Sequence, residues 1–334
     1  MPNNAATAAA RLSTAPMMDW TDRHCRYLHR LMTRRTLLYT EMVTAPALVR
    51  GGALHLLRFD PAERPVAVQL GGSDPAELAE ATAICCDAGY DEVNLNIGCP
   101  SDRVQSGCFG AVLMEQPALV AKCVRAMIDA SSVEVTVKSR IGVDDQDPED
   151  VLPDFLSRMQ DAGVQRVQIH ARKAWLQGLS PKENRDVPPL DYDLVMRMKD
   201  RFPTLHISVN GGIESLEQAK RFLDAGLDGV MIGRAAYHTP SDVLLRADQW
   251  IFEESGGKTA LQVVEEMRPY IEAHLDEGGR LHQVTRHMLG MFSGQPGARH
   301  WRRTLSEGAH RPDAGFEVVE AALSEIAVEE AKST

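Results

Sequence analysis

Cys99 stands where an apolar run, Val93, Leu95 and Ile97, breaks at Gly98 and passes through Pro100 into the polar, glycine-punctuated remainder of residues 92–110. A thiol where a strand gives way to a loop is placed as a barrel enzyme places a reactive group. Taken alone, the residue reads more simply as a small buried apolar side chain, which is what most unpaired cysteines are.

Other apolar runs end in the same way. They close on Ala15-Pro16-Met17-Met18-Asp19, Gln69-Leu70-Gly71-Gly72, Lys138-Ser139-Arg140, His170-Ala171-Arg172, Asn210-Gly211-Gly212 and Gly233-Arg234. A lone His170 would be most simply a satisfied core histidine, but polar groups at so many strand ends are hard to explain as packing. The last two ends are glycine-rich and suit a phosphate held by backbone N–H groups, with Arg234 adding a charge-assisted contact. Ordinary turn glycines are the plainer alternative. Lys138 can put positive charge near a ring position that gains electrons, and Gln69 can both donate and accept. The phosphate-bearing ring cofactor most compatible with the set is FMN.

The elements that must position these residues alternate. Short runs rich in Val, Ile and Leu at 12–17, 37–41, 66–70, 92–96, 133–139, 166–170, 206–210 and 229–232 are mostly separated by amphipathic, helix-length segments. One such segment, 74–88, opens Ser73-Asp74-Pro75, a capped entry with proline in the first turn, and another ends at Gly226. The pattern predicts an α/β chain whose residues 11–240 close into an eight-stranded (β/α)8 TIM barrel. A doubly wound sheet competes, but no GxGxxG follows the first strand and Gly71-Gly72 lacks the third glycine.

After residue 240 the strand signal stops. Residues 241–254, 259–277, 281–292, 299–307 and 313–331 read as helices, so 241–334 is expected to be a helical bundle domain. Arg280, Arg286, Arg299, Arg302, Arg303 and Arg311 cluster there with Glu307 the only acid among them, and Trp301 is adjacent. An arginine-rich face with an aromatic suits phosphate contacts and base stacking on RNA, whereas a merely solvated face normally mixes signs.

The 334 residues are 44% hydrophobic and 25% charged, with a net charge of −11, so the whole chain does not advertise nucleic-acid binding. A local basic surface is sufficient for it. No run approaches a membrane span. Residues 1–10 read as a short disordered leader rather than a signal peptide. The six cysteines form no CxxC and no zinc spacing, so no metal is expected and a reducing cytoplasm is the expected setting.

The stretches APMMDWTDRHCR, VAVQLGGSDP, VNLNIGCPSDRVQSGCFGA, VKSRIG, IHARKAW, GLSPKENR, VNGGI and MIGRAAY together resemble the tRNA-dihydrouridine synthase family, and TRHMLGMFSGQPGARHWRR resembles its A subfamily. The resemblance implies an FMN barrel with a helical C-terminal domain that helps hold tRNA. It implies FMN bound by Pro16, Met17, Met18, Gln69, Lys138, His170, Asn210, Gly211, Gly212, Gly233 and Arg234. It implies NADPH (or NADH) as reductant, hydride delivery to C6 of a uracil, and Cys99 as the donor of a proton to C5. Asn96 would contact the flipped uridine. Lys182 and Arg185 would join Arg299 and Arg302 on the tRNA backbone. The A-type motifs suggest positions 20 and 20a of the D-loop. No protein partner and no membrane are implied, and a monomer is expected.

Such an acid must hold its proton, so Cys99 should not be a thiolate, although Lys138 and Arg140 stand close by in sequence. The loop 101–110 could serve as a lid over the site or as a fixed surface loop. Two other readings stay open. A flavin barrel acting on a free dihydroorotate or enoate shares the cofactor but leaves the arginine-rich module without a task. A non-catalytic tRNA-binding factor leaves Cys99, Lys138 and His170 without one.

Overall fold

The computed structural model describes residues 4–101 and 109–333. Eight parallel strands are β1 (Leu12–Thr14), β2 (Leu38–Thr44), β3 (Val66–Gly71), β4 (Glu92–Ile97), β5 (Glu134–Arg140), β6 (Arg166–His170), β7 (His206–Asn210) and β8 (Gly229–Ile232). They pair in the order β1-β8-β7-β6-β5-β4-β3-β2. The remaining seam, β1 to β2, is drawn together by a parallel bridge between Ser13 and Leu37. The expected barrel is therefore present, with one thin joint.

Local chemistry accounts for its alternation. Strands buried on both faces must be apolar along one side and pack or pair their polar residues on the other. Acidic or hydroxyl caps start several of the outer helices. Asp74 accepts from the Glu77 N–H to open Pro75–Asp87, and Ser215 accepts from the Gln218 N–H to open Leu216–Asp224. Gly226, at φ +107°, ends the latter in the left-handed conformation a glycine adopts without strain.

Three expectations are corrected. Residues 4–9 form a helix (Asn4–Ala9) with Ala6, Ala9 and Ala10 buried, so the described part of the expected leader, from residue 4 on, is ordered against the barrel. The Thr7 hydroxyl donates to Glu134 Oε2 at 3.1 Å, and the Ala6 carbonyl accepts from Arg166 at 3.5 Å. Alanines read as low complexity in a sequence, but their small side chains let a helix sit close against the barrel floor. The first strand stops at Thr14, not at residue 17. The segment 259–277 is two helices, Ala260–Glu266 and Arg268–Asp276, because Pro269 starts a new helix rather than continuing the old one.

The other helices of the C-terminal part include Leu281–Thr285, Ala298–Gly308 and Glu317–Ser333. Val263, Met288, Trp301 and Leu305 of this part belong to the same continuous apolar core as the barrel residues Leu28, Val68 and Ile97. No helix of the described residues is long and apolar enough to cross a membrane.

Candidate active site

Above β4, the side chain of Asn96 determines the path of the chain. Its Oδ1 accepts the backbone N–H groups of Gly98 and Cys99, each at 3.0 Å, folding the strand end back on itself. Its Nδ2 donates to Gln69 Oε1 of β3 at 2.7 Å. The Cys99 thiol is partly exposed and lies 3.7 Å from the Ser101 hydroxyl. Residues 102–108, most of the proposed lid, lie outside the described residues.

Arg140, at the end of β5, uses its guanidinium on carbonyl oxygens of three loops. It donates to Gly98 (3.2 Å), Lys173 (3.1 Å) and Asn184 (2.9 Å). Burial, partly offset by the Cys99 thiol, brings its pKa down to about 10. Lys138 Nζ donates to Asn210 Oδ1 of β7 at 3.1 Å, and Asn210 Nδ2 donates onward to the Met231 carbonyl of β8 at 2.8 Å. Burial, reinforced by Arg140, brings the Lys138 pKa down to about 7, so its charge is marginal at neutral pH. His170 at the end of β6 is held neutral, well below its ordinary value, by burial and then by the charges of Arg140 and Lys138. Its Nε2 is buried without a hydrogen-bond partner among the described residues.

The glycines after β7 have a steric reason. Gly211 is at φ +110°, and a Cβ there would lie 2.6 Å from His170 Cδ2. Gly212 is at φ +64°, with Leu190 2.6 Å from the position of a Cβ. Arg234, at the start of the short helix Arg234–His238, pairs with Asp186 at 2.9 Å.

These residues share one cavity of about 1060 Å³ at the C-terminal mouth of the barrel. Pro16, Met17, Met18, Gln69, Asn96, Cys99, Lys138, His170, Asn210, Gly211, Gly212, Gly233, Arg234 and Arg185 all line it. Lys182 is exposed on the segment between the lining residues Pro181 and Arg185 but does not line the cavity itself. Arg299 and Arg302 stand apart from it, exposed on the helix Ala298–Gly308. With Arg303 on the same helix, they have no acidic partner among the described residues.

A family model described as "Dihydrouridine synthase (Dus)" matches residues 13–327. The chain belongs to the dihydrouridine synthase family. It is 55% identical over 322 residues to the tRNA-dihydrouridine(20/20a) synthase of Vibrio vulnificus (strain CMCP6), covering 96% of this chain and 98% of that one. To the tRNA-dihydrouridine(20/20a) synthase of Escherichia coli (strain K12) it is 54% identical over 321 residues, covering 96% and 92%. Among solved structures, an old yellow enzyme homologue from Zymomonas mobilis superposes with a TM-score of 0.50 at 13% identity, covering 77% of this chain and 92% of that one. That likeness is one of fold.

Within this dihydrouridine synthase barrel, sequence reasoning misplaced one residue and missed several. Trp301 is fully buried and donates its indole N–H to the Met288 carbonyl at 2.9 Å, so it cannot stack on a base. Two of the six clustered arginines have acidic partners: Arg286 pairs with Asp22 at 2.6 Å and Arg311 approaches Glu317 at 3.9 Å. Trp20, Met42, Asp186 and His238 also line the cavity. Trp20 stacks on Tyr237 with ring centroids 4.7 Å apart, joining the loop after β1 to the helix after β8. Only the position of Trp20, three residues after Met17, hinted at this. Among the described residues no group of three or more His, Cys, Asp or Glu is placed to hold a metal ion.

Proposed function

We propose that this protein reduces uridine to 5,6-dihydrouridine in tRNA, at positions 20 and 20a of the D-loop, with FMN as cofactor and NADPH or NADH as reductant. The observation that carries the reading is the gathering of Cys99, Asn96, Lys138, His170 and the glycine ends of β7 and β8 around a single cavity. The relatives at 55% and 54% identity are named for that reaction at those positions.

The residues present fit FMN. A buried His170 Nε2 in the cavity wall, unpartnered among the described residues, asks for a polar ligand atom. Gly211 and Gly212, where a Cβ would collide with His170 and Leu190, bring bare backbone to the cavity wall, and Gly233 and Arg234 line it from the neighbouring strand end, the usual phosphate position of such barrels. Pro16, Met17 and Met18 supply the wall after β1, and Gln69 and Lys138 the polar edge for the ring. When bound and reduced, FMN would supply the hydride that adds to C6 of the uracil.

The chain's own residues do the rest. Cys99 gives its proton to C5 as charge develops there, and solvent replaces that proton. Arg140, tied to three backbone carbonyls, braces the loop that carries the thiol. Asn96 keeps one amide N–H beyond the bond to Gln69 for a carbonyl of the base. Lys138, with its charge marginal in the free site, would be held charged by a bound cofactor that carries negative charge and would help keep it in place. The uracil must leave its stack to reach the cavity, and Arg185, Lys182, Arg299 and Arg302 are the cations that grip the surrounding phosphates. The helical part after residue 240 is in this reading the tRNA-binding domain.

The test is Cys99→Ala on tRNA that lacks dihydrouridine. Flavin content and reduction by NADPH should match wild type, while dihydrouridine formation at positions 20 and 20a falls by roughly 10²- to 10⁴-fold. A wild-type rate in that variant would sink the assignment.

A further inference from the structure

The barrel interior below the cavity is polar, and its hydrogen bonds have a direction. At the floor, Arg166 is fully buried and donates to Glu92 and Glu134, each at 2.7 Å. Glu92 Oε1 accepts two hydroxyls, from Tyr39 and Thr136, each at 2.5 Å. Each hydroxyl has one proton, and both protons are committed to Glu92, so toward every other neighbour Thr136 and Tyr39 can only accept.

That constraint propagates upward. Asn94 must turn its amino group to Thr136 Oγ1, at 2.7 Å. Gln168, which gives its amino group to the Tyr39 oxygen at 3.1 Å, presents Oε1 to the same Asn94 Nδ2 at 2.8 Å. Both Asn94 donors are thereby used, and its Oδ1 is left facing Gln69. Gln69 must then donate to it, at 2.7 Å, which turns Gln69 Oε1 toward Asn96. Asn96 must donate in turn, which leaves its Oδ1 for the Gly98 and Cys99 N–H groups. Asn94 is fully buried, lies one strand layer below the cavity and is absent from its lining.

We infer that Asn94 is a positioning residue: it passes the polarity set by Glu92 at the barrel floor to Gln69 and Asn96, and so fixes the turn that carries Cys99. A flipped Gln69 would present an amino group to the Asn96 amino group, and a flipped Asn96 would release the two backbone N–H groups that hold Cys99 in place. The inference rests on the reading of Cys99 as proton donor.

Two variants separate polarity from packing. Asn94→Asp keeps an acceptor facing Gln69 but buries a carboxyl against Thr136 and Gln168, so it should be the less stable protein. Asn94→Leu fills the space and removes the acceptor. The expected melting order is wild type, then Asn94→Leu, then Asn94→Asp. The rate at which tRNA reoxidises the reduced flavin should run differently: near wild type in Asn94→Asp and roughly 10- to 100-fold down in Asn94→Leu, the scale expected for a small misplacement of a reacting group. In flavin-free protein, alkylation of Cys99 mapped by mass spectrometry should change severalfold in Asn94→Leu and not in Asn94→Asp. A reoxidation rate that follows melting temperature, or wild-type reoxidation and alkylation in Asn94→Leu, overturns the inference. If Asn94→Asp does not fold, Asn94→Leu decides alone. Full activity in Cys99→Ala would instead refute the proton-donor reading, whatever the Asn94 variants do.

Discussion

Gly211 shows how a single residue can be required by its neighbour rather than by its own contacts. At φ +110° any other residue is strained, and a methyl group would meet the His170 ring at 2.6 Å. Gly211→Ala should therefore displace the His170 ring, whose Nε2 is buried at the cavity wall without a partner among the described residues. The expected outcome is a loss of about 1–3 kcal/mol in stability and a lower flavin content after purification, read by urea titration and by visible absorbance. Unchanged values for both would mean that the backbone here has room to relax. The sequence announced this glycine as part of Asn210-Gly211-Gly212, but the reason for it, His170 on the adjacent strand, becomes visible only when β6 and β7 are paired.

Among the elements, the join between barrel and helical part depends on Asp22. As cap of the helix Arg23–Met32 its carboxylate accepts the N–H groups of His24 and Cys25. It also receives Arg286 at 2.6 Å and His287 at 3.0 Å from the C-terminal part. Burial alone would raise this carboxyl; His287, the Cys25 N–H and Arg286 outweigh it and hold it well below the usual carboxylate range. Asp22→Asn keeps a good helix cap and removes the charge, so it should cost about 1–3 kcal/mol. Asp22→Ala should lose roughly 1 kcal/mol more, the value of the cap. Equal losses in the two variants would show that the ion pairs add nothing. The strands were legible because buried parallel strands are short apolar runs, and six of the eight have a boundary within one residue of the expected one at both ends. The C-terminal helices were less so, since interruptions such as Pro269 and the turns after Thr285 depend on tertiary packing.

For the whole molecule, pH response follows from buried neutral histidines. Burial lowers His24 to about 3, His29 to about 3 and His206 to about 4, and holds His170 well below its ordinary value. In the unfolded chain these groups take up protons near pH 6.5 while the folded ones stay neutral. Their stabilisation is thus fully present above pH 6.5 and is lost as pH falls through the window down to their folded values. Each group contributes a slope of about 1.4 kcal/mol per pH unit within it. Asp22, a lowered carboxyl, adds its own loss only below about pH 4. Melting temperature should consequently drop between pH 7 and pH 5. A flat profile over that range would show that the histidines are solvated in the folded protein.

Read alone, the sequence determined the strand order, the polar strand ends, the arginine-rich segment and the family, because each is written in local spacing or in contiguous motifs. Tertiary structure decided which polar residues reach the cavity, that Trp301 is core, that the alanine-rich start is a helix against the barrel floor, and that Asn94 stands between Glu92 and Gln69. Those are contacts between strands and domains, such as Asn94 with Gln168, 74 residues away. Hydrogen-bond polarity passes through such contacts from proton to proton. Its direction exists only once register brings a carboxylate, two hydroxyls and four amides together.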